Sequence, residues 1–255
     1  MCLILFALHQ HDDYPLIVIA NRDEYYARPT RAARWWPDRP GVFAGRDLEA
    51  LGTWLGVSKN GRFAAVTNVR EPGGMSPGDK SRGELPALYL GGNESPESYL
   101  QNLQTDAARY SGYNLLLGNS EELWFASNRD SAIRNITPGI YGISNGRFDE
   151  AWPKLSSGKL ELERVLDSGI DEQSLMGILT DISIAPENEL PSTGVALDVE
   201  RMLSSRFIRS SSYGTRACSV VTIDTNKRVS FTEQNYLDSE HMGELVREIF
   251  TCSPS

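Results

Sequence analysis

The chain has 255 residues, with 25 Lys and Arg against 34 Asp and Glu, which gives a formal net charge of −9 at pH 7. Because no block of lysine or arginine interrupts this acidic balance, the sequence argues against a nucleic-acid partner. The longest early apolar run, residues 2–8, lacks a basic flank and is too short for a signal peptide or a transmembrane segment. We therefore expect a cytoplasmic protein that folds as one domain over residues 1–255.

Short apolar runs rich in β-forming residues alternate with polar or Asn-Gly stretches, a pattern that predicts strands joined by tight turns. The predicted strands cover residues 2–8, 16–20, 53–58, 62–67, 113–117, 122–126, 139–143, 217–223 and 228–232. Helical spacing and capping signals such as Ser95 predict helices over residues 83–90, 96–110, 152–167, 171–180 and 240–250. Residues 181–214, rich in proline, serine and charges, are interpreted as a long loop and a candidate cap over a site.

The predicted strands come in antiparallel pairs, and the predicted helices fall between groups of pairs. This order excludes a regular βαβ array and favours the α+β class, with sheets packed face to face and helices outside. The first two strands are almost continuously apolar, so we expect both of their faces to be covered.

Cys2 directly follows the initiator methionine. Because aminopeptidases remove Met1 ahead of a small residue, we expect the mature chain to begin with a cysteine that carries a thiol and a free α-amine. An α-amine titrates near ~7.7–8.0 and a thiol near ~8.5, so the amine can take the thiol proton and Cys2 can act as a nucleophile. The alternative is a packing role, since cysteine is among the most buried residue types. Cys218 and Cys252 bring the cysteines to three without CxxC spacing, which argues against a disulfide framework and a structural zinc site.

The second predicted strand ends in four consecutive polar residues, Asn21, Arg22, Asp23 and Glu24. If this strand forms a hairpin with residues 2–8, its end returns beside Cys2, where an arginine would lower the thiol pKa and a carboxylate would hold the α-amine. Strand alternation points the first and third of these residues to one face of the sheet and the second and fourth to the other. The alternative is a solvated strand end.

Two asparagines also end predicted strands, Asn68 after residues 62–67 and Asn145 after residues 139–143. A side-chain amide in such a position can donate to a developing oxyanion, although asparagine is also common in ordinary turns. Arg216 begins a later strand and can bind a carboxylate or act on the thiol; the alternative is a surface position. The sequence has no Gly-rich phosphate loop and no histidine cluster, so we expect no metal and no cofactor.

These residues belong to ordered blocks through which the chain resembles the NRDE family, also called the transport and Golgi organisation protein 2 family. The blocks include Met1-Cys2-Leu3-Ile4, Asn21-Arg22-Asp23-Glu24, Gly52-Thr53-Trp54-Leu55-Gly56, Thr67-Asn68-Val69-Arg70, Ser81-Arg82-Gly83-Glu84-Leu85, Gly142-Ile143-Ser144-Asn145-Gly146, Trp152-Pro153-Lys154 and Tyr213-Gly214-Thr215-Arg216. The resemblance implies an N-terminal-nucleophile hydrolase fold, a four-layer αββα sandwich similar to the choloylglycine and penicillin V acylases.

In those acylases a terminal cysteine attacks an amide carbonyl, flanked by an arginine and an aspartate on the second strand, two asparagines and a late arginine. The resemblance therefore implies as catalytic candidates Cys2, Arg22, Asp23, Asn68, Asn145 and Arg216, with Asn21 and Glu24 as substrate-binding candidates. The acylases space the second-strand arginine and aspartate three apart, whereas Arg22 and Asp23 are adjacent.

Two functional hypotheses follow from the resemblance. The first is a cysteine amidase that cleaves a non-peptide C–N bond of a small molecule. The second is a non-catalytic carrier of haem or an acyl ligand, because family members are associated with secretory organisation, mitochondria, lipid or acyl-CoA metabolism and haem trafficking. The substrate and the oligomeric state stay open.

Overall fold

The computed structural model of the protein describes residues 2–71 and 78–253. Within these ranges the strands are β1 (Cys2–Leu8), β2 (Leu16–Tyr25), β3 (Thr30–Trp35), β4 (Val42–Asp47), β5 (Leu55–Ser58), β6 (Phe63–Asn68), β7 (Tyr113–Gly118), β8 (Leu123–Ser127), β9 (Asp130–Ile136), β10 (Gly139–Ile143), β11 (Tyr213–Ile223), β12 (Arg228–Tyr236) and β13 (Met242–Thr251). The helices are α1 (Glu84–Gly91), α2 (Pro96–Leu103), α3 (Pro153–Ser168), α4 (Glu172–Leu179) and α5 (Leu197–Ser204). Among these described helices, none is long and apolar enough to cross a membrane.

The strands form two antiparallel sheets. The first sheet has six strands in the order β10-β1-β2-β11-β12-β13, so that β1 and β2 lie in its interior. The second sheet has seven strands that follow one another in chain order from β3 to β9. The apolar character of β1 and β2 is explained by this interior position, because both of their faces are covered.

The core is divided into layers by strand alternation. Ile4 and Phe6 of β1 pack against residues of the second sheet such as Phe63 and Leu116, which forms the core between the sheets. Leu3 and its neighbours on the opposite face pack against α3 and α4. The helices α1 and α2 cover the outer face of the second sheet. The layer order is α, β, β, α, which confirms the predicted α+β class and the four-layer sandwich.

The predicted helix over residues 240–250 is wrong, because this segment contains the edge strand β13. Leu245 and Ile249 lie four residues apart, a spacing that also suits one face of a helix. Instead, the segment pairs with β12 along its length, and Phe250 packs on the Trp35 ring with centroids 5.0 Å apart. Pairing and packing in the folded chain therefore override the local helical spacing.

Other predicted boundaries also differ from the structure. The predicted helix over residues 96–110 ends at Leu103 and is followed by a short 3-10 turn at Ala107–Arg109. The predicted loop over residues 181–214 contains α5. The sequence pattern does not predict β3, β4 or β9; of these, β3 and β9 are edge strands of the second sheet, where exposed polar residues interrupt the apolar pattern.

Candidate functional site

The hairpin of β1 and β2 brings Arg22 directly opposite Cys2. The hairpin is closed by a hydrogen bond of 2.8 Å from His9 N to Pro15 O. In a hairpin the length of the loop sets the register of the two strands, so the closure from His9 to Pro15 fixes the pairing of Cys2 with Arg22. The predicted hairpin is confirmed, and Cys2 and Arg22 lie on the face of the first sheet that packs against the second.

Cys2 lines a cavity of about 190 Å³ beside the start of β1 and the end of β2. The described lining combines residues from both sheets with the segment before α1: Cys2, Arg22, Asp23, Glu24, Arg28, Asp47, Thr53, Trp54, Val66, Asn68, Lys80, Ser81, Arg82, Gly83 and Ser111. Among the site residues expected from the sequence, Asn21, Asn145 and Arg216 are not part of this described lining.

Cys2 as a whole residue is half-buried. Burial raises the pKa of the Cys2 thiol, and the charge of Asp23 raises it further. The Arg22 guanidinium and a hydrogen bond from the backbone N–H of Asp23 lower the pKa of Cys2, but less than burial raises it. Burial therefore disfavours the thiolate, and a nucleophilic role requires a base that takes the proton.

Arg22 is a fixed positive charge beside this thiol. Its Nη1 donates to Thr30 Oγ1 at 3.2 Å, and its Nη2 lies 3.6 Å from Asp47 Oδ2. The guanidinium carbon lies 4.4 Å from the centroid of the Trp54 ring, in cation–π geometry. Trp54 can take this position because Gly45 has no side chain: a Cβ there would lie 2.3 Å from the Trp54 ring.

Asp23 is buried beside β11, with 1% of its surface exposed. Thr215 Oγ1 donates to Asp23 Oδ1 at 2.7 Å, and the Tyr213 hydroxyl donates to the backbone carbonyl of Asp23 at 3.0 Å. Burial raises the pKa of the Asp23 carboxyl, whereas the charge of Lys154 and the Thr215 hydrogen bond lower it. When ionised, this carboxylate can hold a cation at the start of β1.

Lys154 is a charged residue of this region that belongs to the block Trp152-Pro153-Lys154 but was not among the predicted site residues. It lies in the first turn of α3 with 4% of its surface exposed, and its Nζ donates to Leu203 O at 3.0 Å. Burial lowers the pKa of Lys154 to about 8, and the charges of Asp23 and Cys2 raise it. The sequence pattern does not predict α5, so the burial of Lys154 beside the end of that helix could not be predicted either.

The two asparagines have different positions. Asn68 ends β6 and lines the cavity with Cys2. Asn145 is fully buried, and its Nδ2 donates to the backbone carbonyl of Asn68 at 2.9 Å. The preceding Ser144 Oγ donates to the backbone carbonyl of Cys2 at 3.0 Å. This pair of residues after β10 therefore ties the end of β6 to the start of β1.

Arg216 lies at a β-bulge between β11 and β2. Its Nη1 donates to the backbone carbonyls of Tyr25, Tyr26 and Arg28 at 2.9, 3.0 and 3.1 Å. The Arg216 guanidinium therefore binds the backbone at the end of β2 and in the segment that follows it. These contacts fix the end of the strand that carries Arg22 and Asp23.

Asn21 and Glu24 lie on opposite faces of β2, as strand alternation predicts. Asn21 Nδ2 donates to the backbone carbonyls of Leu179 and Arg206, both at 2.8 Å, on the helix-covered face. Glu24 lines the cavity, and its Oε1 accepts a hydrogen bond of 2.9 Å from Tyr25 N. Asn21 therefore contacts the last residue of α4 and the segment after α5, and Glu24 borders the cavity.

Buried polar contacts tie the segment around α5 to this site. Arg70 Nη1 binds Glu200 Oε2 of α5 and Thr193 Oγ1, both at 2.8 Å. Arg70 N donates to Asn145 O at 2.7 Å. The contacts connect residues 181–214 to the backbone beside Asn68, on the side of the first sheet covered by helices.

In residues 2–71 and 78–253, no group of three or more His, Cys, Asp or Glu side chains is arranged to hold a metal ion. In the cavity, the carboxylate of Asp47 accepts from Arg28 Nε at 2.6 Å, and that of Asp23 accepts from Thr215.

Comparison with known proteins finds relatives along almost the whole chain. The profile of the family Transport and Golgi organisation 2 matches residues 1–238. The Transport and Golgi organization 2 homolog of Mus musculus is 31% identical over 262 residues, covering 94% of this chain and 95% of the relative. The Homo sapiens homolog is 32% identical over 264 residues, with 94% and 95% covered. A solved structure, the C2A mutant of conjugated bile acid hydrolase from Clostridium perfringens, matches with a TM-score of 0.52 at 9% identity, covering 100% of this chain and 98% of that chain. At this identity the match shows the fold alone.

Proposed function

Because this chain belongs to the Transport and Golgi organisation 2 family and has the fold of an N-terminal-nucleophile hydrolase, we propose that it is a cysteine hydrolase that cleaves a non-peptide amide bond. The observation that carries the proposal is the cavity that Cys2 shares with Arg22, Asp23 and Asn68. A cysteine with only a packing role would be surrounded by apolar side chains. The bile acid hydrolase of the same fold was solved as a C2A mutant, which supports testing the same position here.

In the proposed reaction, removal of Met1, which lies outside the described residues, leaves Cys2 with a free α-amine. The α-amine takes the thiol proton, and the thiolate attacks the amide carbonyl carbon to form a tetrahedral oxyanion. The C–N bond then breaks, the leaving amine receives the proton from the ammonium group, and a thioester remains. Water attacks the thioester, which releases a carboxylic acid and restores the thiol.

The contacts of the neighbouring residues support a division of roles. Arg22 stabilises the thiolate, since its charge lowers the pKa of Cys2. Asp23 holds the ammonium form of the α-amine, and the Asn68 amide donates to the oxyanion. Asn145 and Arg216 act as positioning residues, because each binds the backbone of a strand end that carries a residue of the cavity.

Carriage of haem or an acyl ligand without catalysis is the alternative function. The described residues enclose about 190 Å³ around Cys2, less than the ~300–1,000 Å³ of pockets that bury a drug-sized ligand. A cavity of this size suits the reacting end of a small substrate better than an entire haem. We therefore favour the hydrolase.

The proposal is tested by release of free amine from a panel of N-acyl conjugates, compared between the unmodified protein and three cysteine variants. Cys2→Ala should abolish amine release and leave the circular dichroism spectrum unchanged. Cys218→Ala and Cys252→Ala are the matched controls, because Cys218 is buried in the core and Cys252 packs against Gly61. Equal amine release by all of the variants would reject Cys2 as the nucleophile and favour the carrier.

A further inference from the structure

Lys154 is held over the end of β2 by the last turn of α5 and the residues that follow it. Its Nζ donates to Leu203 O at 3.0 Å. From the strand below, Asn21 Nδ2 donates to Arg206 O at 2.8 Å. Because alternate residues of a strand share a face, Asp23 follows Asn21 on this same side of the sheet. The ammonium group of Lys154 and the Asp23 carboxyl are therefore brought to one side of the first sheet.

The segment after α5 also contacts the residue that holds the Asp23 carboxyl. Ile208 N donates to Thr215 Oγ1 at 2.9 Å, and Thr215 Oγ1 donates to Asp23 Oδ1 at 2.7 Å. Lys154 and Asp23 are both buried, with 4% and 1% of their surfaces exposed. Since little water separates buried charges, they act on each other more strongly than surface charges do.

The charged groups that face Lys154 are Asp23, Arg70, Cys2 and Glu200. Arg70 and Glu200 form an ion pair with each other at 2.8 Å. Arg206, which lines a surface groove with Lys154, binds Asp181 at 2.6 Å. Burial lowers the pKa of Lys154 to about 8, and of the neighbouring charges Asp23 raises it most. At neutral pH Lys154 is therefore a cation that acts chiefly on Asp23.

The start of β1 lies beside the same carboxyl. Cys2 pairs with Arg22, and the backbone N–H of the next residue, Asp23, donates to the Cys2 thiol. In a chain that begins at Cys2, the α-amine lies at this point. A carboxylate close to an ammonium group stabilises the charged form, which makes the amine a poorer base at neutral pH. A second cation on the same carboxylate opposes this effect, because like charges favour loss of a proton.

We propose that Lys154 shares the Asp23 carboxylate with the α-ammonium group of Cys2 and thereby favours the free amine that takes the thiol proton. This inference deepens the proposed function and rests on it. Lys154 does not touch the reacting atoms; it acts through Asp23 and is a positioning residue. In its absence, Asp23 would hold the α-amine in the protonated form, which cannot accept the proton of the thiol.

Titration of the α-amine tests this proposal directly, without a substrate. The measurement is made in a Cys2→Ala background, which removes the competing thiol and keeps a small second residue so that Met1 is still removed. Acetic anhydride acetylates an amine only in its unprotonated form. The extent of acetylation of the N-terminal peptide, followed against pH by mass spectrometry, gives the titration midpoint. An unstructured peptide in the same solution corrects for hydrolysis of the reagent and titrates near ~7.7–8.0.

Lys154→Met should raise the midpoint of the α-amine by about one pH unit, as expected for loss of one nearby positive charge. Lys154→Gln is a second neutral variant that keeps a donor for Leu203 O, in case the methionine variant does not fold. Asp23→Asn should move the midpoint in the opposite direction, because it removes the negative charge. Lys159→Met, on the same helix, changes the net charge equally and should leave the midpoint unchanged.

The direction of the shift separates the proposed role from a structural one. If loss of Lys154 only loosened the fold, the midpoint would move to that of the unstructured peptide and not above it. An unchanged or lowered midpoint in both neutral Lys154 variants, or an equal rise in Lys159→Met, would overturn the proposal. Retention of Met1 in the unmodified protein would instead reject the proposed function. The two failures are therefore distinguishable.

Discussion

Cys2 and Arg22 face each other across the β1–β2 hairpin, and the Arg22 guanidinium is held over the Trp54 ring at 4.4 Å. The cation reaches this position through contacts with the second sheet, to Thr30 and Asp47. Strand pairing therefore places Arg22 beside Cys2, and contacts with the second sheet hold its guanidinium in position.

Replacement of Arg22 should move the reactivity of Cys2 to higher pH. The charge of Arg22 lowers the pKa of the Cys2 thiol, so Arg22→Met should raise that pKa and leave less thiolate at neutral pH. The rate of iodoacetamide alkylation at Cys2, measured as a function of pH, reports the shift. Arg22→Lys should still lower the pKa of the Cys2 thiol by most of the original amount. Arg34→Met, at an exposed position on β3, should leave the pH dependence of alkylation unchanged. A curve for Arg22→Met that coincides with that of the unmodified protein would contradict the proposed role.

Asn68→Ala should slow acylation of Cys2 by roughly 10²–10³, the usual effect of losing one oxyanion donor. The release of nitrophenol from p-nitrophenyl acetate measures acylation, which passes through an oxyanion. Alkylation by iodoacetamide has no oxyanion and should be unaffected in this variant. Equal loss of both reactions would show that Asn68 supports the thiol and not the oxyanion.

Asn145→Ala should lower both the acylation rate and the stability, because Asn145 Nδ2 holds the backbone carbonyl of Asn68 at 2.9 Å. An unpaired buried group destabilises a fold by about 1–3 kcal/mol. Asn60→Ala, in the turn between β5 and β6, is the control and should change the melting temperature without changing the rate. A rate loss in Asn145→Ala with an unchanged melting temperature would mean that Asn145 contacts the reacting atoms itself.

Glu200→Gln should reduce the free energy of unfolding by about 3 kcal/mol, the usual result of breaking a buried ion pair. Glu200 and Arg70 are joined at 2.8 Å, with 5% and 11% of their side chains exposed. Urea denaturation measures the loss. The control is Glu187→Gln in the same segment, where the exposed pair with Arg201 should contribute less than about 1 kcal/mol. Equal losses in the two variants would show that α5 is not anchored through Arg70.

Lys154 should make the stability of the protein rise with pH above about 8. Burial lowers the pKa of Lys154 in the folded protein to about 8, whereas an unfolded lysine titrates near ~10.4. The unfolded chain therefore binds more protons between these values, and the free energy of unfolding gains up to about 1.4 kcal/mol per pH unit. Urea denaturation over this pH range should show the rise in the unmodified protein and lose it in Lys154→Met.

The matched control for Lys154 is Lys159→Met on the same helix, because Lys159 is part-exposed and bonded to Asp149 at 2.7 Å. This variant should retain the rise in stability. If the free energy of unfolding rose equally with pH in Lys154→Met and in the unmodified protein, the rise would come from titrating groups other than Lys154.

Local patterns were sufficient to predict the β1–β2 hairpin and its consequence for Arg22. Pairing of the two apolar runs across the polar turn returns Arg22 or Asp23 to the start of β1, and in the structure Arg22 is the residue opposite Cys2. The alternation of side chains along β2 also correctly predicted that Asn21 and Arg22 lie on opposite faces of the sheet. The four-layer fold came from the resemblance together with the antiparallel pairs.

The rest of the site depends on contacts between distant segments, which a local pattern does not contain. Arg82 lines the cavity from the segment before α1, where Thr53 N donates to Gly83 O at 2.9 Å. Lys154 follows a helix-starting proline, a position that is usually solvated, but here it is buried and donates to Leu203 O of α5. The error at β13 has a related cause, since the spacing of Leu245 and Ile249 fits a helix until pairing with β12 is known.

The most direct test of the central claim is the intact mass of the native protein after treatment with iodoacetamide, with the modified residue located by fragmentation. A Cys2 that acts as an N-terminal nucleophile requires a chain that lacks Met1 and carries one fast-reacting adduct on Cys2. A chain that retains Met1, or an adduct that forms on Cys252 before Cys2, would contradict the account.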